Sequence, residues 1–421
     1  RTVTGVQTCA LPILMARIAV FGTLDSKGVE HLFVAEQIRL LGHQPVLIDA
    51  GTLSEPTVIP DISREAALAA AGLDLSAVLS QRDRGACVSA MAAAAGVFLP
   101  ILCEQHNLVA VISLGGSSGT AIASAGMRAL PIGFPRLIVS TMAGGNIAHY
   151  VGTQDITMMP AVVDVSGLNR ISRVVLSRAA GAICGMVSVK PCSGVDRPVI
   201  VASMFGNTTG CINAAVPLLE QAGYEVLVFH ANGTGGRTME SLIESGLVSG
   251  VLDITTTELA DELVGGVLSA GPDRGRAAAR CGVPTIVTPG CLDMVNFGPP
   301  ETIPQRYSGR NFYVHNPQVT LMRTTAEECR QLGLMLAERI NASTGPITVL
   351  LPLRGISVIS AAGGPFHDAE ADATLFNALT NSLRPGVRVR DVDSGINSPE
   401  FAGACVEELL KNLRLVGAGR S

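Results

Sequence analysis

The feature that most constrains the fold is a strand–helix–strand pattern that occurs once in each half of the chain. In the first half, a β-branched run (17–21) is followed by a helical pattern (28–41) and a second apolar run (45–48). In the second half, two apolar runs (199–205 and 225–229) again flank a helical pattern. Adjacent parallel strands joined by a helix need a right-handed crossover. The repeat therefore predicts two α/β lobes.

Each lobe is expected to be Rossmann-like, with a mainly parallel sheet flanked by helices. We place a nucleotide-binding lobe at 15–190, a linker at 191–197 and a second α/β lobe at 198–421. A chance resemblance between two unrelated strand–helix–strand units is the alternative. Residues 1–14 fit neither lobe, because the stretch VTGVQTCALPI (3–13) resembles a translated sequencing adapter. We expect these residues to be an assembly artefact rather than a signal peptide.

The composition argues against several classes of partner. The net charge of −5 and an aromatic content of 4% without tryptophan do not favour nucleic-acid binding. The longest stretch without charged residues (105–127) is interrupted by glycine and serine at 115–119, so a membrane span is not expected. Ten cysteines without a Cys-x-x-Cys pair favour a reducing cytoplasm rather than a disulfide framework or a zinc site.

In open parallel sheets, ligands bind beyond the carboxyl ends of the strands. Four polar loops of the first lobe occupy that edge: 22–28 (GTLDSKG), 51–52, 115–120 (GGSSGT) and 140–146 (STMAGGN). In loop 115–120, glycines allow close backbone approach, and the following helix start presents free N–H groups to an anion. Ser117, Ser118 and Thr120 add hydroxyl donors. The loop is therefore either a phosphate-binding loop or a simple strand-to-helix turn whose helix is capped by serine.

The common nucleotide fingerprints are absent. The chain has no G-x-x-x-x-G-K-[ST] motif and no G-x-G-x-x-G motif after the first strand. Lys27, at a helix start, still provides a cation for phosphates. Asp25 is a candidate for holding a metal ion or a ribose, and a helix N-cap is its alternative role.

The same glycine loop fits a second motif. Residues 115–119 match G-x-S-x-G between a strand and a helix, which makes Ser117 a candidate hydrolase nucleophile. Its partners would come from His149, His230, Asp155 and Asp164. Short glycine-rich matches arise easily, so a serine hydrolase is kept as an alternative.

The second lobe carries another set of polar side chains on glycine-rich segments. They are His230, Arg237, Asp253, Asp293, Asn296 and His315. Such a set is typical of a second small-molecule site. The alternative is that these side chains only satisfy buried backbone groups.

Several longer segments are more specific than any single loop. They are 115–120 (GGSSGT), 130–140 (LPIGFPRLIVS), 150–153 (YVGT), 233–237 (GTGGR), 251–257 (VLDITTT), 292–298 (LDMVNFG) and 319–325 (VTLMRTT). Through these segments, from about Arg17 to its end, the chain resembles one family. It is the family of the ATP-binding N-terminal domain of the tomato mosaic virus resistance protein, with its uncharacterised bacterial and fungal relatives.

The resemblance implies a two-lobed homodimer that binds ATP in its first lobe. Mg²⁺ is a candidate companion ion of ATP, and the cytoplasmic location is expected from the cysteines. The resemblance also implies nucleotide contacts from Asp25, Ser26, Lys27, Thr52, Arg84, Gly116, Ser117, Ser118 and Gly119. The family's glycine loop reads G-G-S-G-G, so Ser118 departs from it and would be strained if its φ were positive. The plant member continues into a barrel-like domain, which makes a separate barrel-domain protein a candidate partner.

The sequence therefore predicts an ATP-binding protein of unassigned catalytic output, with the phosphates held by loop 115–120. One alternative is an ATP-dependent enzyme with a small-molecule substrate site in the second lobe. The other is a serine hydrolase that uses Ser117. Whether the chain is an enzyme stays open, because no general base can be assigned.

Overall fold

The computed structural model describes residues 15–189 and 196–418. They form two compact units, one before residue 190 and one after residue 195, called lobe one and lobe two below. Each lobe contains a parallel sheet flanked by helices, which confirms the predicted fold class. The adapter-like residues 1–14 and most of the expected linker 191–197 lie outside the described residues.

Lobe one is built around five parallel strands. The strands are β1 (Arg17–Gly22), β2 (Gln44–Asp49), β3 (Leu108–Gly115), β4 (Arg136–Ser140) and β5 (Thr157–Pro160). The helices are α1 (Leu24–Leu40), α2 (Arg64–Ala70), α3 (Ser76–Ser80), α4 (Arg84–Gln105), α5 (Ser117–Arg128), α6 (Ala148–Val151) and α7 (Arg170–Ser188). The strand order is β2-β1-β3-β4-β5, so the direction of winding reverses between β1 and β3. Open α/β sheets bind ligands at such a switch point.

Strand β1 shows why the sheet lies between two helix layers. Ala19 and Phe21 pack into a core shared with α2, α4 and α5, whereas Ile18 and Val20 pack into a core shared with α1 and α7. All four side chains are fully buried. Successive side chains of a strand point to opposite faces, so a continuous apolar run is typical of a parallel strand covered on both sides.

Helices α4 and α7 are long and apolar enough to cross a membrane, judged by length and composition alone. In the structure, α4 packs against α5, and α7 packs against α1. Core helices pass the same test, so these two segments are weak evidence for a membrane span.

Lobe two contains a six-stranded parallel sheet and a small antiparallel one. The strands are β6 (Val199–Met204), β7 (Glu225–His230), β8 (Val248–Thr255), β9 (Thr285–Gly290), β10 (Met294–Phe297), β11 (Phe312–Asn316), β12 (Val319–Arg323), β13 (Ile347–Pro352) and β14 (Arg388–Val392). The helices are α8 (Thr209–Gln221), α9 (Thr234–Glu244), α10 (Thr257–Val264), α11 (Ala277–Cys281), α12 (Ala326–Asn341), α13 (Ala369–Ser382) and α14 (Pro399–Ala418). Short 3₁₀ turns lie at Gly206–Thr208, Pro300–Thr302 and Gln305–Tyr307.

The large sheet has the order β7-β6-β8-β9-β13-β14. Its first five strands therefore repeat the order of lobe one, which extends the predicted likeness of the two lobes to their topology. Strands β10, β12 and β11 form the antiparallel sheet. Segment 293–298 was expected to present Asp293 and Asn296 to a second site, but β10 in this segment is a buried strand paired with β12. Three of its four residues are apolar, and Asn296 finds hydrogen-bond partners inside the lobe.

Candidate functional site

A cleft of about 390 Å³ opens at the carboxyl edge of the lobe-one sheet, where the loops after β1 and β3 meet. All nine residues expected to contact a nucleotide line it: Asp25, Ser26, Lys27, Thr52, Arg84, Gly116, Ser117, Ser118 and Gly119. They come from four separate segments of the chain, so the fold brings together side chains that are distant in sequence.

The start of α5 provides backbone donors to this cleft. Gly116 is the N-cap and carries no capping side chain, so the first N–H groups of the helix, from Ser117 to Gly119, have no intrahelical acceptor. The Thr120 N–H donates to Gly116 O at 2.9 Å and closes the first turn. The Thr120 hydroxyl does not serve the cleft as expected, because it is buried and hydrogen-bonded to Ser140 Oγ at 2.6 Å.

Ser118 is not strained. It lies inside α5, and it is not among the non-glycine residues with positive φ. The third glycine of the family's loop is therefore not required here for backbone conformation, and Ser118 adds a hydroxyl to the cleft lining.

The loop after β1 is fixed by a buried histidine. Lys27 interrupts the helical geometry of α1 (φ −131°, ψ 24°), and its carbonyl accepts a hydrogen bond from His31 Nδ1 at 2.6 Å. Burial lowers the pKa of His31, because it disfavours the charged imidazolium. A Cβ on Gly22 would lie 2.1 Å from His31 Nε2, so glycine is needed where β1 ends.

Two carboxylates tie the loops after β1 and β2 together. Asp25 Oδ2 accepts the N–H groups of Thr52 and Leu53, both at 3.0 Å. Asp49 Oδ1 accepts the N–H groups of Leu24 at 3.0 Å and Gly51 at 2.9 Å. Burial raises the pKa of Asp49 above its ordinary value. The cleft wall is thus held in place by hydrogen bonds, and Asp25 Oδ1 is left for a ligand.

Two cations of the cleft have no carboxylate partner. Among residues 15–189, neither Lys27 nor Arg84 forms an ion pair, whereas Arg136 pairs with Asp155 at 2.6 Å. Arg84 is exposed at the first position of α4, and Asp83 caps that helix through Ala86 N at 2.7 Å. Lys27 and Arg84 therefore keep their charge available for an anion.

The residues proposed for a hydrolase form no hydrogen-bonded triad among the described residues of lobe one, although Asp164 lines the same cleft as Ser117. Within the described part of lobe one, Ser117 Oγ has no hydrogen bond to a histidine. His149 lies on α6, where its ring packs on Tyr150 at 4.0 Å. Asp155 accepts hydrogen bonds from Arg136 and from Gly133 N, so it has a structural role.

Five further residues line the cleft: Thr23, Leu53, Val88, Gly115 and Asp164. Sequence reasoning named Asp164 only as an orienting acid of the hydrolase, and it did not single out Leu53 or Val88. Leu53 follows directly after Thr52, and Val88 lies one helical turn after Arg84. Their closeness in sequence to these two predicted contacts was the only feature that could have indicated them. Leu53 and Val88 contribute apolar surface, and Asp164 contributes an exposed carboxylate.

The six residues proposed for a second site in lobe two lie in separate surroundings. His230 and His315 line one cavity at the carboxyl ends of β6 and β7. Arg237 is exposed on α9, and its guanidinium donates to Ser269 O at 3.1 Å. The other three, Asp253, Asp293 and Asn296, are buried in hydrogen-bonded networks.

Asp253 belongs to a network centred on Arg274, a residue that sequence reasoning missed. The Arg274 guanidinium binds both Asp253 oxygens at 2.7 Å, Glu258 Oε2 at 2.6 Å and Glu240 Oε1 at 3.3 Å. Burial alone would lower the pKa of Arg274, but these carboxylates raise it above its ordinary value. Arg274 is 1% exposed, so this network stabilises the lobe and is closed to a ligand.

Asp293 and Asn296 are also enclosed. Asp293 accepts a hydrogen bond from Ser357 Oγ at 2.7 Å, and burial raises its pKa to about 6. Asn296 donates from Nδ2 to Asp261 Oδ2 at 2.8 Å. Of the six residues, only the two histidines therefore share an accessible cavity.

Comparisons with known proteins cover both lobes. The profile described as the uncharacterised protein family (UPF0261) N-terminal domain matches residues 16–192, and the corresponding C-terminal domain matches residues 197–413. A UPF0261 protein of Rhizobium meliloti is 48% identical over 93% of this chain and 98% of its own length.

The tomato (Solanum lycopersicum) protein named ToMV resistance protein Tm-1(GCR237) is 43% identical over 78% of this chain, a region that spans 45% of the tomato protein. Among solved structures, a UDP-N-acetylglucosamine 2-epimerase from Rickettsia bellii aligns with 96% of this chain and 98% of its own at 10% identity. Its TM-score of 0.22 is too low to carry a functional conclusion.

Proposed function

The chain belongs to the uncharacterised protein family UPF0261, and on that premise we propose that lobe one binds ATP, with its phosphates over Gly116–Gly119. One observation carries the proposal. The nine residues chosen from sequence line a single cleft at the switch point of the sheet. That cleft combines free helix N–H groups with two unpaired cations.

The arrangement supports a specific pose. Phosphate oxygens accept hydrogen bonds from the N–H groups of Ser117, Ser118 and Gly119, where the helix dipole also favours negative charge. Lys27 and Arg84 neutralise the rest of the triphosphate charge. The dipole and both cations act on the same anion.

The remaining lining residues suit the other parts of the ligand. Leu53 and Val88 offer apolar surface for the adenine ring. Asp164 and Asp25 Oδ1 offer carboxylate oxygens, which are ligands that Mg²⁺ prefers. The fit is therefore to a magnesium nucleotide rather than to a bare phosphate.

The proposal stops at binding. Within the described residues, no imidazole or carboxylate hydrogen-bonds to Ser117 Oγ, so we assign no reaction to lobe one. The homodimer and the separate barrel-domain partner belong to the same proposal and rest on the resemblance, whereas the cytoplasmic location rests on the scattered cysteines. Light scattering of the purified chain checks the dimer.

Calorimetry with a glycine variant tests ATP binding. A Cβ on Gly116 would meet only Thr141 Oγ1, at 3.7 Å, so Gly116→Val is compatible with the fold. The branched side chain would cover the N–H groups of α5, and ATP binding should be lost. Gly144→Val is the matched control, because it lies in a neighbouring loop where a Cβ meets nothing within 4 Å.

Unchanged ATP affinity in a Gly116→Val protein that melts at the wild-type temperature would contradict the proposal. A charge variant gives a second readout. Lys27→Met should weaken ATP at least tenfold, whereas Arg39→Met, at the far end of α1, should leave the affinity unchanged.

A further inference from the structure

Lobe two has an accessible cavity that the family and the proposed function leave unassigned. It has a volume of about 320 Å³ and lies at the carboxyl ends of β6 and β7. Its lining residues are Phe205, Gly206, Asn207, His230, Asn232, Leu268, His315, Asn316, Val319 and Leu321. None of them is lysine, arginine, aspartate or glutamate, so the cavity has polar groups without a fixed formal charge.

The position corresponds to the nucleotide cleft of lobe one. The last residues of the first two strands pair as Gly22 with Asp49 in lobe one and as Met204 with His230 in lobe two. Counting from these strand ends, Asn207 takes the place of Asp25, and Thr209 takes the place of Lys27. Neutral side chains thus stand where lobe one has Asp25 and Lys27. Within the described part of the chain, no cationic side chain lines this cavity to bind a triphosphate.

Two asparagines present donors to the cavity. Asn232 Oδ1 already accepts Gly235 N at 3.0 Å, and Asn316 Oδ1 accepts Gln318 N at 2.8 Å. Their Nδ2 groups, which can only donate, are left for a ligand. The N–H groups of Gly206 and Asn207 start a helical turn, where they have no intrahelical acceptor. A ligand group with several acceptor oxygens would satisfy these hydrogen-bond donors.

Asn207 adds one acceptor. The residue is 8% exposed, and its Nδ2 donates to Met294 Sδ at 3.6 Å. Among the described residues, Asn207 Oδ1 has no donor, so it is available to a hydroxyl or N–H group of a ligand. His230 and His315 flank the cavity, and each imidazole can donate from one nitrogen and accept at the other.

The remaining wall is apolar. Phe205 stacks on His230 with ring centroids 5.2 Å apart, and Leu268, Val319 and Leu321 complete the surface. A volume of about 320 Å³ is at the small end for ligand sites. We infer that lobe two binds a small hydroxy carboxylate with a compact apolar body. Its carboxylate meets the amide and backbone donors, its hydroxyl meets Asn207, and its apolar part meets Phe205 and the aliphatic residues.

Methyl NMR of the full chain tests this inference with mandelate as the probe. Mandelate carries a carboxylate, a hydroxyl and a phenyl ring. We expect saturable shifts of the methyl groups of Leu268, Val319 and Leu321. Mandelamide, which keeps the shape but loses the charge, should bind at least tenfold more weakly, and inorganic phosphate should not compete.

Variants locate the site. A Cβ on Gly206 would meet nothing within 4 Å, so Gly206→Phe should fill the cavity without disturbing the backbone and abolish the shifts. Gly144→Phe in lobe one, where a Cβ also has open space, is the matched control and should leave mandelate binding unchanged. Asn207→Asp places a negative charge beside the carboxylate and should weaken mandelate at least tenfold.

Three results would overturn the inference: no methyl shifts at millimolar mandelate, equal binding of mandelamide, or displacement of mandelate by phosphate. Undiminished mandelate binding in folded Gly206→Phe would also overturn it, because the ligand would then lie elsewhere. None of these outcomes bears on ATP in lobe one, so this inference and the proposed function can fail separately.

Discussion

Asp25 and Ser118 show how much a single residue reveals before its surroundings are known. Asp25 was chosen as a nucleotide contact or an N-cap, and the structure adds that its Oδ2 holds the loop after β2. Ser118 was a departure from a glycine pattern, and only its backbone conformation shows that no strain results. Residue type and spacing identified the side chains that line the cleft. The hydrogen-bond partners of each carboxylate oxygen could not be predicted, because they come from segments distant in sequence.

Ser117 allows a prediction at this scale. A fluorophosphonate probe should not label it, because no imidazole of the described residues hydrogen-bonds to its Oγ to activate it. Mass spectrometry of the treated protein checks this, with Ser117→Ala as the control. Stoichiometric labelling that disappears in Ser117→Ala would favour the hydrolase alternative.

At the scale of elements, the periodic segments were the most predictable. The run at 17–21 was predicted within one residue of the bounds that β1 has, since a β-branched run that ends at a turn residue is a strong local signal. The small sheet of β10, β11 and β12 was missed, because Asp, Asn and Gly in 293–298 are typical of loops. Their burial depends on partners such as Asp261, which no local pattern reveals.

The Arg274 network makes a prediction about stability. Removal of this buried guanidinium leaves three carboxylates without their cation, so Arg274→Ala should cost about 3–5 kcal/mol of unfolding free energy. Arg280 also pairs with a glutamate, but its side chain is 50% exposed, so Arg280→Ala should cost at most about 1 kcal/mol. Urea denaturation compares the two variants. Similar small losses would show that the network does not hold lobe two together.

Asp261 makes a prediction about pH. Burial raises the pKa of Asp261 to about 7, well above the value near 4 expected in the unfolded chain. Between these values the folded state keeps a proton that the unfolded chain releases, so this group destabilises the protein as pH rises from about 4 to 7. The slope is at most about 1.4 kcal/mol per pH unit.

Asp261→Asn should remove that slope, and the variant should gain stability relative to the wild type between pH 5 and pH 8. Urea denaturation across this range measures the difference. Asp273→Asn, whose carboxylate is exposed, is the control and should track the wild type. A constant difference between Asp261→Asn and the wild type would show that Asp261 is ionised throughout.

At the scale of the whole molecule, the chain uses one topology twice with different chemistry. Both sheets begin with the same strand order, whereas the sequence repeat predicted only that the chain has two α/β lobes. The first switch point gathers helix N–H groups, Lys27 and Arg84, whereas the cavity beside β6 and β7 is uncharged. The sequence could not show which polar residues of lobe two line an open cavity. Only the folded structure separates them from the polar residues that lie in closed hydrogen-bonded networks.

The measurement that most directly tests the central claim is a crystal structure of the full chain with a non-hydrolysable ATP analogue. We expect phosphate oxygens within hydrogen-bond distance of the backbone nitrogens of Ser117, Ser118 and Gly119, with Lys27 and Arg84 beside them. A nucleotide bound elsewhere, or bound in lobe one with its phosphates directed away from Gly116–Gly119, would contradict it.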